Sequence, residues 1–281
     1  MKDTLKQIVE KLAVKGFRKA GGVSWEAAMT LMNQLITAHC REPEITIWED
    51  KNGVTYKNFS LFFKGKISKK VVIGAHYDSF EATPGADDNA SAVAVLLGLA
   101  GLMKNIENLP FDTELVFYAC EEPPFFGNDT MGSFKHAMSC NPENTSFMIC
   151  LEMVGYYSDK TGSQSYPLSF MSLLYGSKAN YLMLVSDFRS RKVLNAICKT
   201  LKGSSMIYKH LISPFKSWGI DWSDHRNYWE KKIPAIMVTD TSLFRNKNYH
   251  EFTDLPDTLD YFKMAILVND LENIVKNLKL K

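Results

Sequence analysis

Histidine and acidic side chains follow a series of short apolar runs in this 281-residue sequence. His76 and Asp78 come directly after one run, Glu121 and Glu122 follow a second, and Glu152 lies at the end of a third. If the runs are parallel strands, their carboxyl ends open onto one crevice, which is where open α/β sheets bind ligands. We therefore expect these side chains to converge.

Two loops add further groups to the same crevice. Residues 84–91 predict a tight turn that opens a helix, and this turn contains the adjacent acidic residues Asp87 and Asp88. His250 lies in the loop after the last apolar run. The crevice would thus hold two histidines and at least three carboxylates.

This concentration of carboxylates indicates a bound cation. Like charges raise one another's pKa and burial penalises the ionised form, so a cation of high charge stabilises the group. Imidazole and carboxylate ligands together favour zinc, with manganese or cobalt as poorer alternatives, whereas calcium prefers oxygen alone. Each motif alone has an ordinary structural explanation, such as a solvated acidic pair or a helix cap. Their common position after strand ends predicts a metal site.

The apolar runs themselves predict a largely parallel sheet, because nearly continuous apolar runs suit strands that are buried on both faces. These runs are 71–75, 114–119, 147–151 and 235–238. Residues 90–103 are apolar almost all round, as expected of a buried crossover helix. Helical spacing also predicts helices at 5–12, 24–38 and 257–279, and the Asn52-Gly53 turn predicts a hairpin between 45–48 and 56–64.

Composition is that of an ordinary globular chain, with 46% hydrophobic and 23% charged residues. The formal net charge of +2 gives no electrostatic case for nucleic acid or an anionic membrane as a partner. The five cysteines are widely spaced and lack CxxC motifs, so we expect reduced, mostly buried thiols. The first ten residues hold no apolar run of signal-peptide length, so we expect a cytoplasmic protein, with export open if a leader was removed.

Taken together, these motifs resemble the M28 family of zinc peptidases. The matching segments are 74–79, 84–91, 121–122 with 132–133, 151–155, 223–225 and 249–250. The resemblance implies one domain over residues 1–281, a three-layer αβα fold around a central mixed, mostly parallel sheet. It also implies peptide substrates and removal of residues from their N-terminus.

The resemblance further implies two zinc ions bridged by Asp88. We choose Asp88 over Asp87 because the family's bridging ligand stands three residues before a serine, which is Ser91 here. The same resemblance implies a cis peptide bond after Asp88. The remaining ligands form one pair for each ion: Glu122 with His250, and His76 with Glu152.

Other roles follow from the resemblance in the same way. Glu121 matches the general base, and Asp78 matches the carboxylate that orients a ligand histidine. Asp224 belongs to a Ser-Asp-His motif near the site but outside the ligands, and His225 is expected to be structural. Glu152 stands where the family more often has Asp, so the longer side chain could shift or weaken one ion.

Two rival functions use the same fold. Glutaminyl cyclases resemble this family, use one zinc ion and cyclise an N-terminal glutamine. A non-catalytic interaction domain is the second rival, although such a descendant would be expected to lose ligands or the base. Aromatic residues are candidate walls of a substrate pocket: Tyr156, Tyr157, Phe215, Trp218, Trp222 and Tyr249.

Overall fold

One mixed sheet forms the centre of the molecule in the computed structural model, which describes residues 1–213 and 219–280. Its strands are β1 (Glu44–Glu49), β2 (Thr55–Phe63), β3 (Gly65–His76), β4 (Leu109–Tyr118), β5 (Thr145–Glu152), β6 (Tyr181–Ser186), β7 (Ile207–Ile212) and β8 (Ala235–Thr239). They lie in the order β1-β2-β4-β3-β5-β8-β6-β7. The central strands β4, β3, β5 and β8 run parallel to one another, and β7 runs parallel to β6. The pairs β1–β2, β2–β4 and β6–β8 are antiparallel. This confirms the predicted mixed, mostly parallel sheet.

Helices cover both faces of this sheet. They are α1 (Lys2–Leu12), α2 (Trp25–His39), α3 (Ala92–Met103), α4 (Gly132–Ser139), α5 (Met171–Tyr175), α6 (Arg191–Thr200), α7 (His225–Glu230) and α8 (Tyr261–Asn277). Along β3, Val71 and Ile73 pack with α1, α2, α3, α6 and α8, whereas the intervening Val72 packs in the cluster that contains α4 and α7 residues. Because successive strand side chains point to opposite faces, the sheet has an apolar core on each side. The chain is a single three-layer α/β domain, as predicted.

The crossover helix α3 is buried on all sides. A short π-type turn, Ala86–Ser91, precedes it and holds the acidic residues of the site. By length and composition the stretch 86–103 could cross a membrane, but 89% of it is buried inside the fold. It therefore has the sequence expected of a core helix between two strands of a parallel sheet.

The predicted hairpin and terminal helix are also present. The β1–β2 turn places Gly53 at a φ of +76°, and the Asp50 carboxylate accepts the backbone N–H groups of Asn52 and Val54. The terminal helix begins at Tyr261 rather than 257, because the Asp260 side chain caps its first turn. A short 3₁₀ turn, Pro256–Thr258, occupies the residues before that cap.

Candidate functional site

The predicted site residues meet at the carboxyl edge of β3, β4 and β5. His76 is the last residue of β3 and Glu152 the last of β5, while Glu121 and Glu122 follow β4. Asp88 reaches the same place from the turn before α3. All five side chains are buried. Sheet register explains the meeting, since β3 lies between β4 and β5 and is parallel to both.

Asp88 lies between the two histidines. Its Oδ1 is 3.5 Å from His76 Nε2 and its Oδ2 is 3.3 Å from His250 Nε2. Glu152 Oε2 is 3.4 Å from the first histidine nitrogen, and Glu122 Oε2 is 3.3 Å from the second. The donors therefore form two groups that share one carboxylate, in the same pairs that the sequence predicts.

Asp78 connects the ends of β3 and β4. Its Oδ1 accepts the backbone N–H of Glu121 at 3.1 Å, and its Oδ2 accepts that of Glu122 at 3.0 Å. The same Oδ1 lies 3.5 Å from His76 Nδ1. One buried carboxylate thus fixes the backbone of the predicted base and of one predicted ligand glutamate, and it lies beside the ring of a predicted ligand histidine.

The turn that holds Asp88 is fixed by side chains from distant segments. The Asp88–Asn89 peptide bond is cis, as the family resemblance implies. Asp254 accepts the backbone N–H of Asp88 at 3.1 Å. The Asn89 amide donates to Leu151 O at 3.0 Å and accepts from Met153 N at 2.9 Å. The turn is thereby tied to the end of β5, next to Glu152.

Asp87 points away from the donor groups. Its Oδ1 accepts the backbone N–H of Gly155 at 2.9 Å, and its Oδ2 accepts the Asn246 amide at 2.7 Å. Burial raises the pKa of Asp87 well above its usual range, and the neighbouring Asp240 carboxylate raises it further. This geometry agrees with the choice of Asp88 rather than Asp87 as the ligand.

The backbone adopts left-handed conformations next to the donor residues. Cys120, directly before Glu121, has a φ of +63°, and Met153, directly after Glu152, has a φ of +48°. His250 itself has a φ of +60°. Such conformations cost about 1–3 kcal/mol each for residues other than glycine and concentrate at functional sites.

Arg18 supports the site and was not predicted from the sequence. It lies in the segment that connects α1 to α2, is fully buried, and donates to backbone carbonyls, including Leu12 O. Nη1 donates to Tyr77 O at 2.9 Å and Asp78 O at 3.2 Å, and Nη2 donates to Pro84 O at 3.0 Å and Gly85 O at 2.5 Å. One guanidinium thus joins the end of β3 to the turn that carries Asp88. No spacing signal marks this residue, because its partners are distant in the chain.

The Ser-Asp-His motif lies beside Glu152. Ser223 Oγ donates to Glu152 Oε2 at 2.5 Å, a contact that we did not predict. Asp224 is fully buried, and burial raises its pKa to about 7 against the charge of His76. His225 faces away, with Nε2 2.7 Å from Ile220 O, which fits the structural role expected for it.

Burial and neighbouring charges shift the pKa values of the carboxylates in opposite directions. Burial raises the pKa of Glu121 well above its usual range, and the neighbouring carboxylates raise it further. Burial and the charge of Asp88 raise the pKa of Glu122 to about 8, against a hydrogen bond from His250. For Asp88 the burial effect is outweighed by its hydrogen bond to His250 and by nearby positive charge, which lower its pKa. A bound cation would remove the cost of holding these acids together.

The donor atoms fit a zinc site. Two ligand atoms that each lie about 2.1 Å from one tetrahedral ion are about 3.4 Å apart, which matches the 3.3 to 3.5 Å separations around Asp88. Ligand atoms of His76, Asp88 and Glu122 all lie within 4.8 Å of one another. Within residues 1–213 and 219–280, His76 is fully buried yet neither ring nitrogen makes a hydrogen bond. That unsatisfied imidazole is the arrangement expected of a metal ligand.

A protein-family model described as peptidase family M28 matches residues 60–269. The chain belongs to this family. The match includes every predicted ligand and the predicted base, so the metal-binding geometry and the family assignment concern the same residues. M28 membership identifies the molecule as a metallopeptidase of the hydrolase class.

Curated relatives match most of this chain. The uncharacterized protein YfbL of Escherichia coli is 41% identical over 237 residues, 81% of this chain and 72% of its own length. Leucine aminopeptidase 1 of Ajellomyces capsulatus is 24% identical over 71% of this chain and 50% of its own length. The chain thus spans about half the length of the curated leucine aminopeptidases it matches.

Solved structures share the M28 fold with this chain. LapB from Legionella pneumophila has a TM-score of 0.75 and 18% identity, with 98% of this chain and 72% of LapB covered. Glutaminyl cyclase from Tannerella forsythia has a TM-score of 0.69 and 17% identity, with 99% of both chains covered. Similarity at this level of identity shows a common architecture, which aminopeptidase-like and cyclase chains both use.

A cavity of about 830 Å³ opens onto the donor groups of this M28 domain. Asp88, Glu121, Glu122, Glu152 and His250 form its polar end. Its other walls are mainly apolar and include side chains of the short helix α5 and of β6, β7 and β8: Met171, Leu174, Met183, Val185, Leu211 and Met237. The site therefore combines a charged reaction centre with a large apolar pocket.

The aromatic wall differs in its members from the predicted one, because the cavity is also lined by Phe126, Tyr166, Phe170, Tyr175 and Phe244. Trp222 and Tyr249 line the cavity, but Tyr156 and Tyr157 do not. Tyr157 turns toward α8, where its hydroxyl donates to Val154 O at 3.0 Å and the Lys263 ammonium lies 4.6 Å from its ring centre. The backbone N–H of Tyr156 donates to Asp240 Oδ2 at 3.1 Å. The predicted wall residues Phe215 and Trp218 lie outside the described residues.

Proposed function

We propose that the chain is a zinc-dependent aminopeptidase that hydrolyses the N-terminal peptide bond of peptides. The observation that carries this proposal is the position of Asp88 between two groups of imidazole and carboxylate donors, with Glu121 beside them. M28 membership and the leucine aminopeptidases among the relatives support it. The proposed domain extends over the whole of residues 1–281.

The proposed ligands would hold two zinc ions, and Asp88 would belong to both ligand sets. His76 and Glu152 complete one set, and Glu122 and His250 complete the other. When bound, zinc lowers the pKa of a water molecule toward neutrality and polarises the carbonyl of the peptide bond. The ring of His250 is held for this role between Phe80 and Tyr249, each with its centre 3.9 Å away.

Glu121 is the proposed general base. Its carboxylate lines the cavity, and Asp78 fixes its backbone N–H. Its Oε2 is 3.8 Å from His76 Nε2, so it borders the ligands without being needed to complete either set. In the proposed reaction Glu121 takes a proton from the attacking water and returns it to the leaving amine. A carboxylate whose pKa is raised by burial is suited to both transfers.

The cavity supports a preference for large apolar N-terminal residues. Its apolar walls can bury a leucine or phenylalanine side chain, which contributes about 1.5–3 kcal/mol of transfer free energy. We therefore expect leucyl and phenylalanyl substrates to be hydrolysed with a higher kcat/KM than alanyl or glutamyl ones. A preference for acidic N-terminal residues across a panel of aminoacyl chromogenic substrates would contradict the proposal that the apolar walls bind the N-terminal side chain.

Metal content and base substitution together test the proposal. We expect about two zinc ions per chain, hydrolysis that stops on chelation, and recovery when zinc is restored. Glu121→Gln should keep its zinc but lose at least about a hundredfold in kcat. Glu107→Gln, at an exposed position far from the site, is the matched control and should keep full activity. Zinc-loaded Glu121→Gln with more than about a hundredth of the normal rate would show that another group is the base.

A glutaminyl cyclase is the alternative that shares this fold. It would bind about one zinc ion and release ammonia from a glutamine-initiated peptide without hydrolysing it. The two complete donor groups around Asp88 favour hydrolysis. Mass spectrometry of a glutamine-initiated peptide after incubation separates the two reactions, because cyclisation keeps the peptide intact and hydrolysis shortens it.

A further inference from the structure

A second cluster of titratable side chains lies away from the proposed zinc site. Cys140 directly follows α4, and its Sγ is 3.7 Å from His136 Nδ1. The opposite ring nitrogen, His136 Nε2, is 3.2 Å from Glu114 Oε1, and Lys70 Nζ is 2.6 Å from Glu114 Oε2. Lys70 also faces the thiol. Lys70 pairs with Thr145 at the amino end of β5, so this cluster lies at the opposite end of the strands from Glu152.

The charges in this cluster favour an ionised thiol. Glu114 carries one negative charge between two basic groups, Lys70 and His136. A thiolate on Cys140 balances the second positive charge, and His136 Nδ1 lies 3.7 Å from its sulfur. The Tyr228 hydroxyl also contacts His136, at 2.5 Å from Nδ1. No other carboxylate faces the sulfur among the described residues.

We propose that Cys140 is a reactive thiolate, held by His136 and Lys70, that hydrogen peroxide oxidises to a sulfenic acid. The sulfur attacks one peroxide oxygen, so that an S–O bond forms as the O–O bond breaks. Two electrons pass from sulfur to the peroxide, and the departing hydroxide takes a proton from solvent and leaves as water. The side chain of Cys140 is only 4% exposed, which restricts the reaction to small oxidants.

The remaining cysteines provide internal controls. Burial raises the pKa of the thiols of Cys40, Cys120, Cys150 and Cys198, whereas His136 and Lys70 overcome burial and lower that of Cys140. Cys198 is the most accessible of the five. Accessibility alone would therefore direct a reagent to Cys198, and ionisation would direct it to Cys140. These two explanations predict different modified peptides.

The test uses the full chain, hydrogen peroxide and a sulfenic-acid trapping reagent, with peptide mass spectrometry of each cysteine. We expect Cys140 to be trapped at least about tenfold faster than Cys198 at neutral pH. A Cys140→Ser chain should lose the fast-labelled peptide, whereas Cys198→Ser should keep it. Faster labelling of Cys198 would overturn the proposal.

A second measurement has a first readout on the unsubstituted chain, which does not depend on the folding of a variant. The rate of iodoacetamide alkylation of Cys140 in the unsubstituted chain should reach half its maximum below about pH 8.5, the pKa of a free cysteine. Lys70→Met should move that midpoint upward, while Lys69→Met, an exposed neighbour, should leave it unchanged. A midpoint at or above about 8.5 in the unsubstituted chain would overturn the proposal. Neither readout involves peptidase activity, so the result is independent of the proposed zinc site.

Discussion

Replacing Arg18 by lysine tests whether the segment between α1 and α2 holds the proposed metal-binding loops in place. The guanidinium makes hydrogen bonds to five backbone carbonyls, including those of Tyr77, Asp78 and Gly85. A lysine ammonium has only three donors, so at least two buried carbonyls lose their partner. At about 1.5–3 kcal/mol for each hydrogen bond to a charged group, the expected loss of unfolding free energy is about 3–6 kcal/mol. That is a large fraction of the 5–15 kcal/mol by which a typical domain is stable.

Burial of this position favours arginine over lysine. Removal from water lowers the pKa of Arg18 to about 10, even though the nearby carboxylates, with Asp78 foremost, oppose the shift. A buried lysine would lose its charge more readily than arginine does. Because Tyr77 and Gly85 flank the residues proposed to bind zinc, the substitution should weaken zinc affinity as well as stability.

Urea unfolding of the zinc-free and zinc-loaded chains measures both effects. Arg41→Lys is the matched control, because Arg41 also donates to a backbone carbonyl, that of Phe62, but is exposed. We expect the control to change the unfolding free energy by less than about 0.5 kcal/mol. A loss below about 1 kcal/mol for Arg18→Lys would refute the role assigned to the guanidinium. An unchanged zinc affinity despite the expected loss of stability would show that the loops keep their positions without it.

Three further substitutions have defined outcomes. Asp78→Asn should reduce zinc affinity by about 10–100-fold, measured by competition with a chelating indicator. Asn has one acceptor oxygen, so one of the two backbone N–H groups that Asp78 accepts on separate oxygens would face an NH₂ group. Ser223→Ala should lower zinc affinity by a similar factor in calorimetric titration, and an unchanged affinity would show that its hydrogen bond to the ligand glutamate is dispensable. His136→Gln should destabilise the chain more at pH 6 than at pH 9.5. Burial lowers the pKa of His136, but contacts with Cys140 and Glu114 raise it to about 9, so its stabilisation is complete below about pH 6.5 and is lost as pH rises through 9. If urea unfolding shows equal losses of unfolding free energy at the two pH values, the predicted pH dependence is wrong.

The central strands could be predicted because their sequences are continuous apolar runs. The apolar runs within β3, β4, β5 and β8 are largely buried on both faces, and those of β3, β4 and β5 end at or near a polar residue of the site. We did not predict β6 or β7. The run in β6 is rich in leucine and methionine, which helices also favour, and β7 is a partly exposed edge strand with polar residues at its centre. Neither pattern distinguishes a strand from other structure.

The residues that support the site are harder to predict than those proposed to react. His76 and Glu152 lie at the ends of recognisable strands, so their meeting follows from the order of the strands. Arg18 contacts residues 59 to 67 positions away, and no periodicity in the sequence records such a contact. Hydrogen bonds between distant loops depend on side-chain packing, which only the folded chain supplies.

The reaction centre and the pocket come from different parts of the fold, and this separation has a consequence for specificity. The proposed zinc ligands His76 and Glu152 are strand ends fixed by sheet hydrogen bonds, with Asp88 tied to them through Asn89. The apolar walls instead come largely from loops and short elements between β5 and β8. Substitutions such as Leu174→Ala can therefore enlarge the pocket without moving a ligand. Changes of substrate preference at constant zinc content would be the signature of this arrangement, since binding of the side chain and activation of water would then be physically independent.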